Sequence, residues 1–198
     1  MPTNYPEGTK AFYLSPGNIQ ALWEMFNKIP GILDDYAKEN YEAFITKLFD
    51  KDSIWFECTG FPGVLYANGI RTGLSAHVHF VFFDSKLRGR ELFLINVLKW
   101  LVNMLQLEKV NAFVPKFCKS LISFLKRLGF REEGEVRNWS RNGGKLFNVV
   151  ILGMTKEEVL NGGVFSAADV GVTGDKAEFV VEQQLPETAD VGAEFPEG

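Results

Sequence analysis

With 198 residues, 46% of them hydrophobic and 14% aromatic, the chain can fill the core of one ordinary domain, and eighteen phenylalanines exclude disorder throughout. Two cysteines far apart, Cys58 and Cys118, argue against a disulfide framework or a CxxC zinc site. The formal net charge of −4 is uneven: residues 161–198 hold eight acids against the single base Lys176, a balance of −7 that leaves +3 for residues 1–160, too little for a nucleic-acid footprint.

The first eight residues have neither a basic region nor an apolar run, so they do not read as a secretory signal, and a cytoplasmic protein is expected. Lys10 to Leu14 reads as a short strand, and Gly17-Asn18 offers a helix start for Ile19, Leu22, Trp23 and Phe26. Pro30-Gly31 ends that helix. Tyr41, Phe44, Ile45, Leu48 and Phe49 then give a second amphipathic helix. Ser53 to Thr59 and Gly63 to Ile70 are β-rich runs joined by the hairpin connection Gly60-Phe61-Pro62-Gly63, and Ala76 to Phe83 is a third run.

Leu92 to Leu107 is the longest apolar stretch, but Asn96, Lys99, Asn103 and Gln106 draw one polar stripe along it. A membrane span needs about 20 residues without such a stripe, so a helix buried on most of its circumference is expected, with Trp100 in the core. Val110 to Val114 reads as a strand, and Lys119 to Leu128 as a helix stopped at Gly129. Two strands flank the turn Arg141-Asn142-Gly143-Gly144, and Thr155-Lys156-Glu157-Glu158 is a capping-box start. The order is β-α-α-β-β-β-α-β-α-β-β, without internal repeats. Residues 161–198 lack helical periodicity and read as an acidic linker or docking arm for a protein partner, appended to a domain spanning 1–160.

From Ala76 to Gly134 this order and spacing resemble the acetyl-CoA-binding half of the GNAT N-acetyltransferases. Three points carry the likeness: a strand passing through Ser85-Lys86-Leu87-Arg88-Gly89-Arg90 into a long helix; the strand Val110–Val114 followed by Lys116, Cys118 and a helix ending Leu128-Gly129-Phe130; and the closing strands around the Asn-Gly-Gly turn. The likeness extends to GNAT-like proteins encoded by bacteriophages, in which a His-containing run like His77-Val78-His79-Phe80 often begins the fourth strand. The resemblance implies a mixed α/β sheet with helices on both faces and acetyl-CoA as donor. It implies a pyrophosphate held at the helix N-terminus, where free N–H groups and the helix dipole favour an anion. The implied cofactor-binding residues are Phe82, Phe83, Lys86, Arg88, Gly89, Arg90 and Lys116.

Two positions depart from the family. Whether Lys86 or Arg88 is aligned as the basic residue of the turn, Glu91 falls where Gly or Ala belongs and sets a carboxylate in the field meant for phosphate. The Tyr that in this family often protonates the leaving thiolate is replaced by Leu125, and an Asn common seven residues earlier by Cys118. Candidate bases for the incoming amine are His79 and Glu57, with His77 and Asp84 nearby. An alternating histidine equally reads as a hydrogen-bonded core or rim residue, Glu57 as part of a solvated face, and the basic run as a solvated turn. His77 and His79 share a strand face without an evident third metal ligand. Two readings therefore stand. One is an acetyl-CoA-dependent N-acetyltransferase with an unspecified amine acceptor. The other is a catalytically silent GNAT scaffold serving as a structural or assembly protein of a phage virion, docked through its acidic tail.

Overall fold

The computed structural model describes residues 5–6, 9–12, 15–29, 33–48, 52–59, 63–83 and 90–162. Strand β1 (Thr9–Ala11) leads to helix α1 (Pro16–Asn27). The helix begins one residue before Gly17-Asn18. Ser15 caps it, its hydroxyl accepting from the Asn18 N–H at 3.3 Å, and Pro16 supplies the fixed φ of a first helical residue. Ile19, Leu22 and Phe26 form its buried stripe.

A five-residue helix that the periodicity does not announce, α2 (Asp35–Glu39), follows, with the Asp34 carboxylate accepting from the Ala37 N–H at 2.8 Å. The Trp23 indole donates to the Ala37 carbonyl at 3.2 Å, tying α2 to α1. Helix α3 (Tyr41–Leu48) then buries Phe44 against Phe26, with ring centroids 5.9 Å apart.

Strands β2 (Ile54–Cys58), β3 (Gly63–Arg71) and β4 (Ser75–Phe82) run antiparallel. Helix α4 (Arg90–Met104) carries the chain over to β5 (Lys109–Pro115), which lies parallel to β4. After α5 (Lys119–Arg127), the hairpin β6 (Arg131–Asn142) and β7 (Lys145–Thr155) returns, β7 pairing with β5 and leaving β6 at the edge. The strand order is β1-β2-β3-β4-β5-β7-β6. A last helix, α6 (Lys156–Asn161), opens on a complete Thr155/Glu158 capping box.

Alternation sorts the strand residues into two cores. Phe56, Leu65, Ala67, Ala76 and Val78 face Leu94, Ile95, Leu98 and Leu101 of α4, while Trp55, Val64 and Val81 face α1 and α3. On α4 the polar stripe is real, with Asn96 and Asn103 exposed. The helix stops at Met104, however, and Gln106 turns the chain with φ of 51°. Trp100 is half-buried, edge-on to Phe56 at 5.4 Å. Gly129, with φ of 106°, ends α5 as the sequence indicates. No helix among the described residues is long and apolar enough to cross a membrane. The Gly60–Pro62 part of the first hairpin connection, the candidate base Asp84, the candidate phosphate-binding residues Lys86, Arg88 and Gly89, and the tail from residue 163 onward lie outside the described residues.

Candidate functional site

The parallel pair at the centre of the sheet is paired only at its beginning. Ser75, Ala76 and His77 face Lys109, Val110 and Asn111, and there the ladder ends. β4 continues to Phe82 on its β3 partner and β5 to Pro115 on β7, so beyond His77 and Asn111 the two strands part into a V. The facing main-chain edges, residues 78–82 and 112–115, are ready-made hydrogen-bonding edges for an extended, amide-containing ligand.

Helix α4 starts from the far end of β4. Its first residue, Arg90, is only 8% exposed, and its guanidinium lies 4.8 Å from the centroid of the Phe124 ring on α5. That places a cation in the first turn of a long helix, where an anion is favoured. Glu91 shares the same turn. At the end of β4, Phe82 packs into the α4 core and Phe83 into the α1–α3 core, its ring 6.3 Å from Phe26. Lys116, just past β5, donates to the Glu135 carboxylate at 2.7 Å. This bond, together with one from the Asn148 amide, holds the Glu135 carboxyl below the usual range. The Lys116 ammonium is therefore held toward β6.

His79 lies in β4 just past the last paired residue. Its ring stacks on Tyr66 at 4.2 Å and 6°, and Tyr66 stacks on Trp55 at 4.1 Å and 9°, so that three directly opposed residues of β4, β3 and β2 form a ladder of rings. His79 Nε2 is 3.1 Å from Asn68 Oδ1. Burial, and secondarily the neighbouring His77, bring the His79 imidazole down to about 4, so it is neutral at physiological pH. His77 is also lowered by burial, and its ring sits 4.7 Å from Phe113 on β5. Among the described residues no group of three His, Cys, Asp or Glu side chains gathers.

Glu57 shares the α1–α3 face of the sheet with His79, but stands two strands and two residues away, about 12 Å on ideal sheet spacings. It pairs with Lys10 at 3.2 Å. It borders a hollow of about 330 Å³ shared with Phe12, Leu22, Met25, Val64 and Phe83. His79 therefore faces the α1–α3 side of β4 with Glu57, about two strands apart, while Phe82 faces the α4 side and Arg90 stacks on Phe124 of α5.

Leu125 is 1% exposed, fully inside the α4–α5 core. Cys118 caps α5 without a side-chain hydrogen bond, and burial pushes its thiol up to about 11. Two features escaped the sequence. The ring ladder depends on the β2–β3 register, which the runs of apolar residues did not fix. The other is Asp35, whose two carboxylate oxygens accept from the Gly143 and Gly144 N–H groups, each at 2.8 Å, more than 100 residues away. The Asn-Gly-Gly turn was legible; its partner was not.

No protein-family model matches this sequence, and no curated protein does. Solved structures do match in three dimensions. A chimera of the spermidine N-acetyltransferase SpeG from Vibrio cholerae with hSSAT superposes with a TM-score of 0.62 at 17% identity, over 78% of this chain and 99% of that one. Spermidine N-acetyltransferase from Vibrio cholerae, solved in complex with CoA and spermine, gives 0.58 at 15% identity over 78% and 99%. Mutant forms of the spermidine/spermine N-acetyltransferase SpeG from the same organism give 0.59 at 16% over 78% and 97%. With its parted parallel pair, its α4 crossover and these neighbours, the chain has the fold of the GNAT N-acetyltransferases.

Proposed function

We propose that this chain is an N-acyltransferase taking acetyl-CoA as donor and an amine as acceptor. The observation that carries the reading is the V between β4 and β5, open beyond His77 and Asn111, with α4 starting at its far end. A neighbour of the same fold was solved with CoA and spermine, which supports an acyl-CoA and an amine here.

The described residues fit such a donor. The strand edges at 78–82 and 112–115 would hydrogen-bond the amides of the pantetheine arm. Arg90 and the α4 N-terminus, joined by Lys86, Arg88 and Gly89 from the segment before it, would hold the pyrophosphate, and Phe82 and Phe83 would border it. Bound acetyl-CoA supplies an activated thioester that an amine attacks directly, so the work left to the chain is mostly positioning. His79, on β4 itself and neutral at pH 7, is suited to accept a hydrogen bond from the amine rather than to remove its proton, since an imidazole near 4 is a weak base. Glu57, on the same face but more distant, is the carboxylate available to a longer polycationic acceptor. Residues 1–160 would form the catalytic domain and residues 161–198 an acidic arm for a protein partner.

A second reading, a scaffold that keeps the cleft without turnover, is favoured by the burial of Leu125 and by Glu91 in the first turn of α4. Neither the fold nor its neighbours lends support to a place in a bacteriophage particle. Calorimetric titration with CoA and acetyl-CoA, followed by an acetylation assay on spermidine, spermine and lysine peptides, separates the readings. Binding with turnover is the expected result; binding without turnover on any amine, or no heat at millimolar CoA, refutes the enzyme reading and leaves the scaffold.

A further inference from the structure

The β6–β7 hairpin outruns its support. The β5–β7 ladder ends at Val149, opposite Pro115, with one further bond from the Lys116 N–H to the Asn148 carbonyl at 2.8 Å, so residues 137–147 continue as a two-stranded ribbon past the open end of the V. The ribbon has a hinge where it leaves the sheet. The β6–β7 register slips between Val136 and Ser140, Asn138 adopts φ of 54°, and its N–H donates to Asn148 Oδ1 at 3.0 Å. At the tip, Gly143 and Gly144 have φ of 57° and 73°, as a type I′ turn requires, and their N–H groups end on the two oxygens of Asp35. Paired charge-assisted bonds of this kind fix direction as well as distance.

The other side of that contact is firmly built. Asp35 opens α2, which Asp34 caps and the Trp23 indole holds to α1. α1 and α3 in turn pack on Trp55, Val64 and Val81, the β2–β4 half of the sheet. The ribbon belongs to the β5–β7–β6 half and is braced near its root by Phe147 against Phe117, with centroids 4.6 Å apart. The two halves are therefore joined at the closed end of the V by the short β4–β5 ladder, and past its open end by Asp35.

We propose that Asp35 is a positioning residue that latches the β6–β7 ribbon to the helical cap across the open end of the cleft, making the ribbon the wall against which the amine acceptor is placed. The latch stands on the contacts alone, whereas its effect on the acceptor rests on the acyltransferase reading above.

The test uses the full chain, wild type, Asp35→Ala and Asp35→Asn, with residue-resolved amide hydrogen exchange. Loss of both bonds should speed exchange at Gly143 and Gly144 by about tenfold in Asp35→Ala, with a smaller gain in Asp35→Asn, which keeps one carbonyl acceptor. Amides of Val150 to Gly153, at the root of the hairpin, should keep their wild-type rates in the same samples. Equal rates at the two glycines in all three proteins overturn the latch. In the acetylation assay Asp35→Ala should raise KM for spermidine while leaving calorimetric affinity for CoA unchanged. Faster tip exchange with an unchanged KM overturns the acceptor-wall assignment. A wild-type chain that acetylates no amine overturns the acyltransferase reading, and the exchange rates still decide the latch.

Discussion

Acidification should weaken the fold through His79 by an amount that the ladder of rings sets. The imidazole is held at about 4 by burial in the sheet and by the adjacent His77, whereas in the unfolded chain it titrates at its ordinary value of about 6.5. Because the folded value is depressed, the unfolded state binds the extra proton first. The contribution is complete above pH 6.5 and is lost as pH falls from there toward 4. At about 1.4 kcal/mol per pKa unit the full loss is about 3 kcal/mol, of which roughly 1 is gone at pH 5.5 and most is gone at pH 4.5. Carboxylates titrate over the same interval, so the comparison is with His79→Gln, which removes the imidazole and leaves the rest of the charge set. Urea unfolding at pH 7.5, 5.5 and 4.5 should show the wild type losing stability faster than the variant by those increments. The chain has only two histidines, so an NMR titration of their ring signals reads the cause directly. A His79 midpoint near 6.5, or parallel stability curves for the two proteins, would refute the reasoning.

A Cβ at Gly63 would meet the Val81 carbonyl oxygen and Phe82 Cδ1 at 3.0 Å, and strand backbone cannot give cheaply. Gly63→Ala should cost about 1–3 kcal/mol, lower Tm by about 2–12 °C and weaken CoA binding by displacing the end of β4. Gly134→Ala, where nothing lies within 4 Å, should leave both unchanged or slightly raise Tm. Leu125→Ala, opening a cavity in the α4–α5 core, should cost about 2–5 kcal/mol in denaturant unfolding, far more than loss of an exposed side chain would. Cys58 and Cys118, pushed up to about 12 and about 11, are protonated at neutral pH. Iodoacetamide at pH 7.5 should therefore label the native chain about a hundredfold more slowly than the urea-unfolded chain, as read by mass spectrometry.

The chain order of strands and helices was legible because each long element carries its own period. Leu94, Leu98 and Leu101 repeat on one side of α4 while Asn96 and Asn103 mark the other, and the strand runs are bounded by Gly and Pro. α2 was not legible: five residues are too few for a period, and only the Asp34 cap betrays it. The GNAT resemblance correctly located the fold's central feature, a strand pair feeding a long helix, without any single residue saying that β4 and β5 separate after His77. That separation is a matter of pairing, which is long-range and leaves no local trace. The same holds for the site. His79 stood out by residue type, but its low basicity comes from burial within the sheet and, secondarily, from His77. Lys116 stood out by charge, but Glu135 of β6 engages it. Asp35 leaves no signal in the sequence because its partners are main-chain N–H groups.

The central claim is that the V between β4 and β5 receives acetyl-CoA, and an amide NMR titration of the full chain with CoA tests it most directly. Shifts that saturate at residues 78–82 and 112–115 and at Arg90, with little change in the hollow beside Glu57, are the result the fold leads one to expect. Saturable shifts confined to another surface, or none at millimolar CoA, would contradict it.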